Sequence, residues 1–314
     1  MEGSNTPQDS ASQVVGGAED NNRERSRDER LGETSTYDQR PKDLFVGESP
    51  CRIDVSTVSA RMLITDRTKG PRNKMNKPTY IYGNYPNYYW VRTEDSRIEA
   101  FKKKWFNGLD CLDVGCHEGN FTLEIVKKFR PKSMIGVDID RTLVLEKARK
   151  NRNKTLQSVS QWEEADEEST ETKKATMKSL HNTRFFAGDY ALKEGAPECM
   201  DTITCFSVIK WIHFHHGDDG IKFVFKKIFN ALRPGGRFIL EPQSWESYAK
   251  AKRKQNMFGV PYYNLKLLKL HPSEFLDHLI NEVGFKHVKS LAFPDADQGF
   301  SRPIFILRKP KHTV

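Results

Sequence analysis

The sequence has few cysteines and no pair of them at metal-ligand spacing. The five cysteines among its 314 residues are an odd number and form no Cys-x-x-Cys, so neither a zinc ribbon nor a disulfide framework is indicated. No run approaches the roughly eighteen uncharged apolar residues that a membrane-spanning helix needs. The first residues contain no basic segment leading into an apolar one, so a secretory signal is not expected. These absences favour a soluble intracellular protein with no membrane partner.

Apolar residues are also sparse near the N-terminus. Residues 1–44 are mostly small, polar or charged, with Tyr37 as their single aromatic. Such a segment cannot bury enough apolar surface to offset its ordering entropy, and we expect a disordered tail. Residues 45–79 are basic and are predicted to be a lead-in segment, partly ordered at most. The net charge of +9 and the pI near 9.2 favour an anionic partner, with nucleic acid first.

Beyond this region, short apolar runs alternate with longer amphipathic ones. This alternation is typical of a parallel sheet with helices on both faces, and it predicts an α/β domain over residues 80–310 with a seven-stranded, mostly parallel sheet. The predicted strands are 111–114, 134–138, 184–187, 202–206, 237–241, 286–291 and 304–308, and the predicted helices are 121–129, 143–152, 221–232 and 272–283.

One stretch interrupts the alternation. Residues 153–182 are polar and dense in charge, with an acidic run at 163–171, where a short crossover would suffice. We expect a mobile polar insertion in a surface connection.

A glycine turn and an acid suggest a ligand site. The turn over 113–120 contains Gly115 and Gly119, which allow a tight backbone and a close ligand approach. It follows a strand, at the edge where open α/β sheets bind ligands. Asp138 ends the next strand, where a carboxylate can accept bonds from both hydroxyls of a ribose. The turn is not the dinucleotide fingerprint, and a structural turn with a helix-capping Asp is the alternative.

Two later elements complete a known order of motifs. Asp189 and Tyr190 follow a short strand, where they can bond and stack an adenine, and the turn 232–236 precedes the strand that ends at Glu241. In this order the motifs resemble the class I S-adenosylmethionine-dependent methyltransferases, which have a Rossmann-like fold. The first motif differs in having Cys116 and His117 where a second glycine often stands.

Further stretches resemble one family in particular. They are 82–89 with Arg92 and 94–97, then 207–213, 241–245 and 299–303. Together they are similar to the bicoid-interacting-protein-three family of RNA methyltransferases, which includes methylphosphate capping enzymes of small nuclear RNA. The resemblance covers about residues 80–309.

The resemblance implies two groups of site residues. Its cofactor contacts, for S-adenosylmethionine or the product S-adenosylhomocysteine, fall on Tyr89, Arg97, Gly115, Cys116, His117, Asp138, Ile139, Asp189, Tyr190 and Phe206. The family often has Asn at the positions of His117 and Asp189, and both replacements keep hydrogen-bonding ability. The positions that face the RNA 5′ end are Tyr88, Arg92, Lys210 and Trp211.

These RNA-facing residues suit methylation of a phosphate. A phosphate oxygen is already anionic at neutral pH, so no general base is required, and placement against the methyl sulfonium is what the site must supply. We expect Lys210 and Arg92 to hold the phosphate and Tyr88 and Trp211 to shape the pocket. Packing of the aromatics over the sheet edge is the alternative.

The resulting prediction is an enzyme that methylates the γ-phosphate at the 5′ end of a small noncoding RNA. A 5′-monophosphate methyltransferase, a largely non-catalytic RNA-binding scaffold and a methyltransferase for a protein or small molecule are the alternatives. We expect a nuclear monomer, with a cytoplasmic pool as an alternative, and RNA-binding proteins of the same ribonucleoprotein as further partners. No metal is expected, because His213, His215 and His216 do not share one helix face and a solvated turn explains them.

Overall fold

A seven-stranded sheet runs through the part of the chain that the structure describes. The structure is a computed structural model, and the described residues are 82, 96–192, 194–258, 265–292 and 302–311. The strand order is β3-β2-β1-β4-β5-β7-β6, with β1 to β5 parallel and β7 antiparallel to both of its neighbours. The strands are β1 (Asp110–Val114), β2 (Ser133–Asp138), β3 (Thr183–Ala187), β4 (Met200–Phe206), β5 (Leu232–Glu241), β6 (Lys286–Leu291) and β7 (Ile304–Arg308).

Helices cover both faces of this sheet. The α-helices are α1 (Asn120–Phe129), α2 (Arg149–Ser160), α3 (Glu167–His181), α4 (Ile209–Ala231), α5 (Trp245–Phe258) and α6 (Phe275–His278). Short 3₁₀ turns lie at Ser96–Ala100, Lys103–Trp105, Leu265–Leu267 and Pro272–Glu274, and π-helical turns at Leu143–Ala148 and Leu279–Val283. None of the helices in these described ranges is long and apolar enough to cross a membrane.

The core has one main cluster on each face, because successive residues of a strand point to opposite sides. In β1, Leu112 joins the cluster that α4 covers, whereas Cys111 joins the cluster that α1 covers. Residues from α2 and α3, such as Val159 and Leu180, complete the second cluster. The predicted class I fold, with helices on both faces of a mostly parallel sheet, is confirmed.

Residues 153–182 differ from their prediction as a mobile insertion. They form most of α2 and all of α3, and Val159, Thr176 and Leu180 are fully buried in them. Asp166 caps α3, accepting the backbone N–H of Ser169 at 2.7 Å. Only one narrow stripe of these helices faces the core, so few apolar residues are needed. The many charged residues therefore conceal the helical pattern in the sequence.

Helix α4 also begins earlier than predicted. It starts at Ile209 rather than 221 and contains one non-helical residue, Gly217, at φ 65°. Lys210 and Trp211 therefore lie in its first turn. The predictions of a disordered tail at 1–44 and a lead-in segment at 45–79 lie outside the described residues.

Candidate active site

A cleft of about 810 Å³, open to solvent, lies at the carboxyl ends of the central parallel strands. Its position is the one at which open α/β sheets bind ligands. The lining includes most of the predicted cofactor residues, together with one residue predicted to face the RNA; these are Gly115, His117, Asp138, Ile139, Asp189, Tyr190, Phe206 and Trp211.

The turn after β1 requires glycine at its first position. Gly115 has φ +83°, and a Cβ there would lie 2.4 Å from the Cβ of Val208. Its N–H donates to the Val137 carbonyl at 2.7 Å, and that of Cys116 to the same oxygen at 3.1 Å. The backbone thus passes close to β2 and Val208, and leaves the strand end open toward the cleft.

Asp138 is held at the end of β2 by two backbone donors. Its Oδ2 accepts the His117 N–H at 2.9 Å, and its Oδ1 accepts the Asp140 N–H at 3.0 Å. Burial raises the pKa of Asp138 to about 6, although these two hydrogen bonds act to lower it. The carboxylate is therefore fixed in orientation and has acceptor capacity left for further donors, since it has about four lone-pair sites.

Asp189 and Tyr190 line the cleft just after β3, and α4 holds each of them. Asp189 Oδ2 pairs with His216 Nε2 at 2.7 Å, and its Oδ1 accepts the Ala191 N–H at 2.9 Å. Burial acts to raise the pKa of Asp189, but His216 and the backbone bond outweigh it and the pKa is lowered. Lys227 Nζ donates to the Tyr190 carbonyl at 2.7 Å and lies 3.8 Å from the centre of its ring.

His117 and Cys116 contribute backbone more than side-chain chemistry. His117 has φ 52°, and burial lowers the pKa of its imidazole, which favours the neutral ring. Cys116 is buried beneath the turn, and burial raises the pKa of its thiol. Because the thiolate is the reactive form, this cysteine packs and does not act as a nucleophile.

Arg97 lies behind the cleft wall in a buried ion pair. Its Nη1 donates to Glu241 Oε2 at 2.6 Å, and its guanidinium stands 4.4 Å over the Phe121 ring and 5.2 Å from that of Phe206. Phe206 lines the cleft itself. Arg97 is thus one side chain away from the cavity, and its predicted contact with the cofactor stays a prediction.

Lys210 and Trp211 lie in the first turn of α4, beside the cleft. Trp211 lines the cleft, and the Lys210 ammonium stands 4.5 Å over its ring. Lys210 is 8% exposed, and its Nζ donates to Ser247 Oγ at 2.8 Å. Tyr88, Tyr89 and Arg92 lie outside the described residues, so their placement stays a prediction.

Two of the histidines of α4 pair with carboxylates. His213 Nε2 lies 2.8 Å from Asp218 Oδ1, and His216 pairs with Asp189. Among the described residues, no three His, Cys, Asp or Glu side chains form a group that could hold a metal ion.

Comparison with known proteins identifies the family. The family description "Bicoid-interacting protein 3 (Bin3)" matches residues 200–309, and "Methyltransferase domain" matches residues 112–238. A probable RNA methyltransferase of Arabidopsis thaliana is 34% identical over 266 residues, covering 75% of this chain and 83% of the relative. The chain belongs to the Bin3 family.

Two further relatives are small nuclear RNA capping enzymes by name. The U6 snRNA methylphosphate capping enzyme Amus of Drosophila melanogaster is 33% identical over 246 residues, covering 73% of this chain and 75% of the relative. The 7SK snRNA methylphosphate capping enzyme of Mus musculus is 34% identical over 284 residues, covering 76% of this chain but 42% of that enzyme.

The residues of the cleft fit S-adenosylmethionine, the cofactor of Bin3-type methyltransferases. Gly115 keeps open a space that a Cβ could not share with Val208, which allows a ligand close to the backbone. Asp138 presents a fixed carboxylate that suits the two ribose hydroxyls. Asp189 and Tyr190 present an acceptor and a ring in the same cleft, which suits an adenine.

The structure adds residues that the sequence had not singled out for the site. His216 pairs with Asp189, Val208 restricts the glycine turn, and Ser207 lines the cleft. Ser207 stands at φ 58°, a value that sequence cannot reveal for a serine. The only available signal was that Ser207 and Val208 begin the stretch 207–213 that resembles the Bin3 family.

Proposed function

We propose that this Bin3 protein methylates the 5′-terminal phosphate of a small noncoding RNA. The observation that carries the proposal is the position of Trp211, which lines the same cleft as Asp138 and Asp189 and has the Lys210 ammonium 4.5 Å over its ring. An aromatic ring with an ammonium over it can stack a terminal base and attract a phosphate.

Methyl transfer to a phosphate oxygen requires the protein mainly to position the two reactants. When bound, S-adenosylmethionine supplies a methyl group on a sulfonium. A phosphate oxygen is already anionic at neutral pH, so the protein has no proton to remove. Its residues need to hold the oxygen in line, exclude water and leave the attacking lone pair exposed. Lys210, as a point charge bonded to Ser247, can attract the phosphate without enclosing it.

The γ-phosphate of a 5′-triphosphate is the proposed acceptor. Two relatives at 33–34% identity are named as methylphosphate capping enzymes, and this supports the capping reaction over the 5′-monophosphate alternative. A nuclear location, a monomeric state and partners from the same ribonucleoprotein belong to the same proposal.

Methyl transfer to three forms of one short RNA tests this function. Labelled S-adenosylmethionine is supplied with RNA that carries a 5′-triphosphate, a 5′-monophosphate or a 5′-hydroxyl. We expect label on the triphosphate form alone. Preference for the monophosphate would indicate the rival reaction, and equal label on all three would place the acceptor on a base or ribose. Binding of cofactor and RNA without transfer would support the scaffold.

A further inference from the structure

Ser207 has an unusual backbone conformation at the edge of the cleft. It directly follows β4, lines the cleft and stands at φ 58°. This left-handed region is disfavoured for residues with a Cβ, whereas glycine adopts it without strain. A non-glycine residue stays there only when its surroundings over-determine it, and such residues cluster at functional sites.

Three hydrogen bonds hold Ser207 in this conformation. Its Oγ donates to Glu241 Oε2 at 2.8 Å and accepts from Arg302 Nη1 at 3.0 Å. Its backbone carbonyl accepts from Gln243 Nε2. Glu241 and Gln243 are 0% and 2% exposed, so these bonds lie mostly in a protected environment. The hydroxyl is used as both donor and acceptor, a combination that glycine and alanine cannot supply.

The same network extends to Arg97 and to the start of α4. Glu241 Oε2 also accepts from Arg97 Nη1 at 2.6 Å, and Arg97 is a predicted cofactor contact. Gln243 Oε1 accepts the Lys210 backbone N–H at 3.1 Å, and Lys210 is a proposed RNA contact. Ser207 is therefore linked to each of these two residues through one intervening side chain.

Arg302 brings a guanidinium to the edge of the cleft. Its Nη1 donates to the hydroxyl of Ser207, which lines the cleft. A guanidinium has five N–H donors in a planar fork that matches two phosphate oxygens. Arg302 can therefore engage the Ser207 hydroxyl and a phosphate at the same time.

We infer that Ser207 is a positioning residue that holds Arg302, and that Arg302 binds the terminal phosphate of the acceptor. The inference rests on the proposed function, because it assigns a phosphate as the ligand. Serine at this position has a strained backbone, but it supplies a hydroxyl that orients the Arg302 guanidinium. The Arg97–Glu241 pair anchors the other side of that hydroxyl.

Two substitutions of Ser207 distinguish the effect of backbone strain from the effect of losing the hydroxyl. Ser207→Gly and Ser207→Ala both remove the hydroxyl, but glycine adopts φ 58° without strain, so we expect Ser207→Gly to melt at a higher temperature than Ser207→Ala. We expect both to lose about tenfold or more in the preference of RNA binding for a 5′-triphosphate over a 5′-hydroxyl, the size of one charged hydrogen bond. Fluorescence anisotropy with S-adenosylhomocysteine present measures this ratio.

Cofactor affinity and Arg302 variants complete the experiment. Calorimetry should show that Arg302→Gln keeps S-adenosylmethionine affinity within about threefold of wild type, since Arg302 is assigned to the acceptor and not to the cofactor. Arg302→Gln should match the loss in Ser207→Gly, and Arg302→Lys should restore part of it because the charge remains.

The outcomes distinguish this inference from the proposed function. If Ser207→Gly recovers the wild-type triphosphate preference and kcat/KM while Ser207→Ala does not, the backbone conformation is what matters and the inference is overturned. Wild-type preference in both Ser207→Gly and Arg302→Gln would overturn it as well. A wild-type protein that neither prefers nor methylates the triphosphate RNA would overturn the proposed function together with it.

Discussion

At the scale of single residues, Asp138 links the electrostatics of the cleft to cofactor binding. Two backbone N–H groups orient its carboxylate, and burial raises its pKa to about 6 from an ordinary value of 3.8. The ligand-free fold thus binds this proton more tightly than the unfolded chain does. The stability that the proton contributes is complete below pH about 4 and is lost as the pH rises through about 6.

Cofactor affinity should rise with pH, whereas the stability that this proton contributes falls with pH. In the proposed cofactor site, ribose hydroxyls donate to the ionised Asp138 carboxylate, so we expect S-adenosylmethionine affinity to be constant above pH 7 and to fall about tenfold by pH 5, as one proton competes. Titration calorimetry between pH 5 and 8 measures this. Asp138→Asn should bind weakly with no such pH dependence.

The neighbouring charges supply the control for this measurement. Asp140 and Asp113 both act to raise the pKa of Asp138, and His117 lies beside it. Asp140→Asn keeps the backbone N–H that bonds Asp138 but removes a charge that raises its pKa, so it should retain the affinity at pH 8 and move the fall in affinity to lower pH. Affinity that is unchanged from pH 5 to 8 in the wild type would contradict the ribose assignment.

The sequence can reveal a site residue when the pattern that marks it lies in the neighbouring residues of the chain. Gly115, Asp138 and Asp189 each lie at the end of a strand or within two residues of it, and a strand end fixes a position in the fold. His216 pairs with Asp189 from 27 residues away, and Ser207 owes its role to partners on β5 and before β7. Pairings across the fold such as these leave no mark in a single sequence.

At the scale of elements, α2 and α3 show how charge can conceal a packed helix. Most residues of α3 are polar, yet Leu180 is fully buried in the same cluster as residues of α1. Its apolar stripe is narrow because the helix touches the core along one edge. The sequence therefore predicted an insertion where the structure has two packed helices.

Leu180→Ala tests whether these helices contribute to the core. Removing a fully buried leucine should lower the free energy of unfolding by about 2–5 kcal/mol, measured by urea denaturation. Lys178→Ala, an exposed neighbour on the same helix, should change it by less than about 0.5 kcal/mol. Equal and small effects of both substitutions would mean that α3 does not pack as described.

The strands of the sheet were more predictable from the sequence than the start of helix α4. Strands such as β1 and β4 are buried and short, and they read as compact apolar runs. The predicted start of helix α4 lies too far along the chain, because its first turns carry histidines and aspartates and because Gly217 interrupts it. Those same turns carry Trp211 and His216 into the cleft, so the departure from a simple helical pattern coincides with the site.

At the scale of the whole molecule, the fold brings Gly115, Asp138, Asp189 and Trp211 to one cleft. We propose that the first three hold the cofactor and that Trp211, with Lys210 over its ring, meets the acceptor. The net charge of +9 suits an anionic polymer and favours its approach. The order of motifs along the chain was sufficient to predict that strand-end residues meet at one edge of the sheet, since a doubly wound sheet brings its strand ends together.

The central claim is that the transferred methyl group ends on a terminal phosphate. Mass spectrometry of the 5′-terminal nucleotide, released by nuclease from a reacted 5′-triphosphate RNA, tests it most directly. The account predicts a terminal nucleotide that carries three phosphates and one added methyl, which is lost when phosphates are removed, and no product with Asp138→Ala. A methyl group that stays with the nucleoside after phosphate removal, or that appears on an internal nucleotide, would contradict the account.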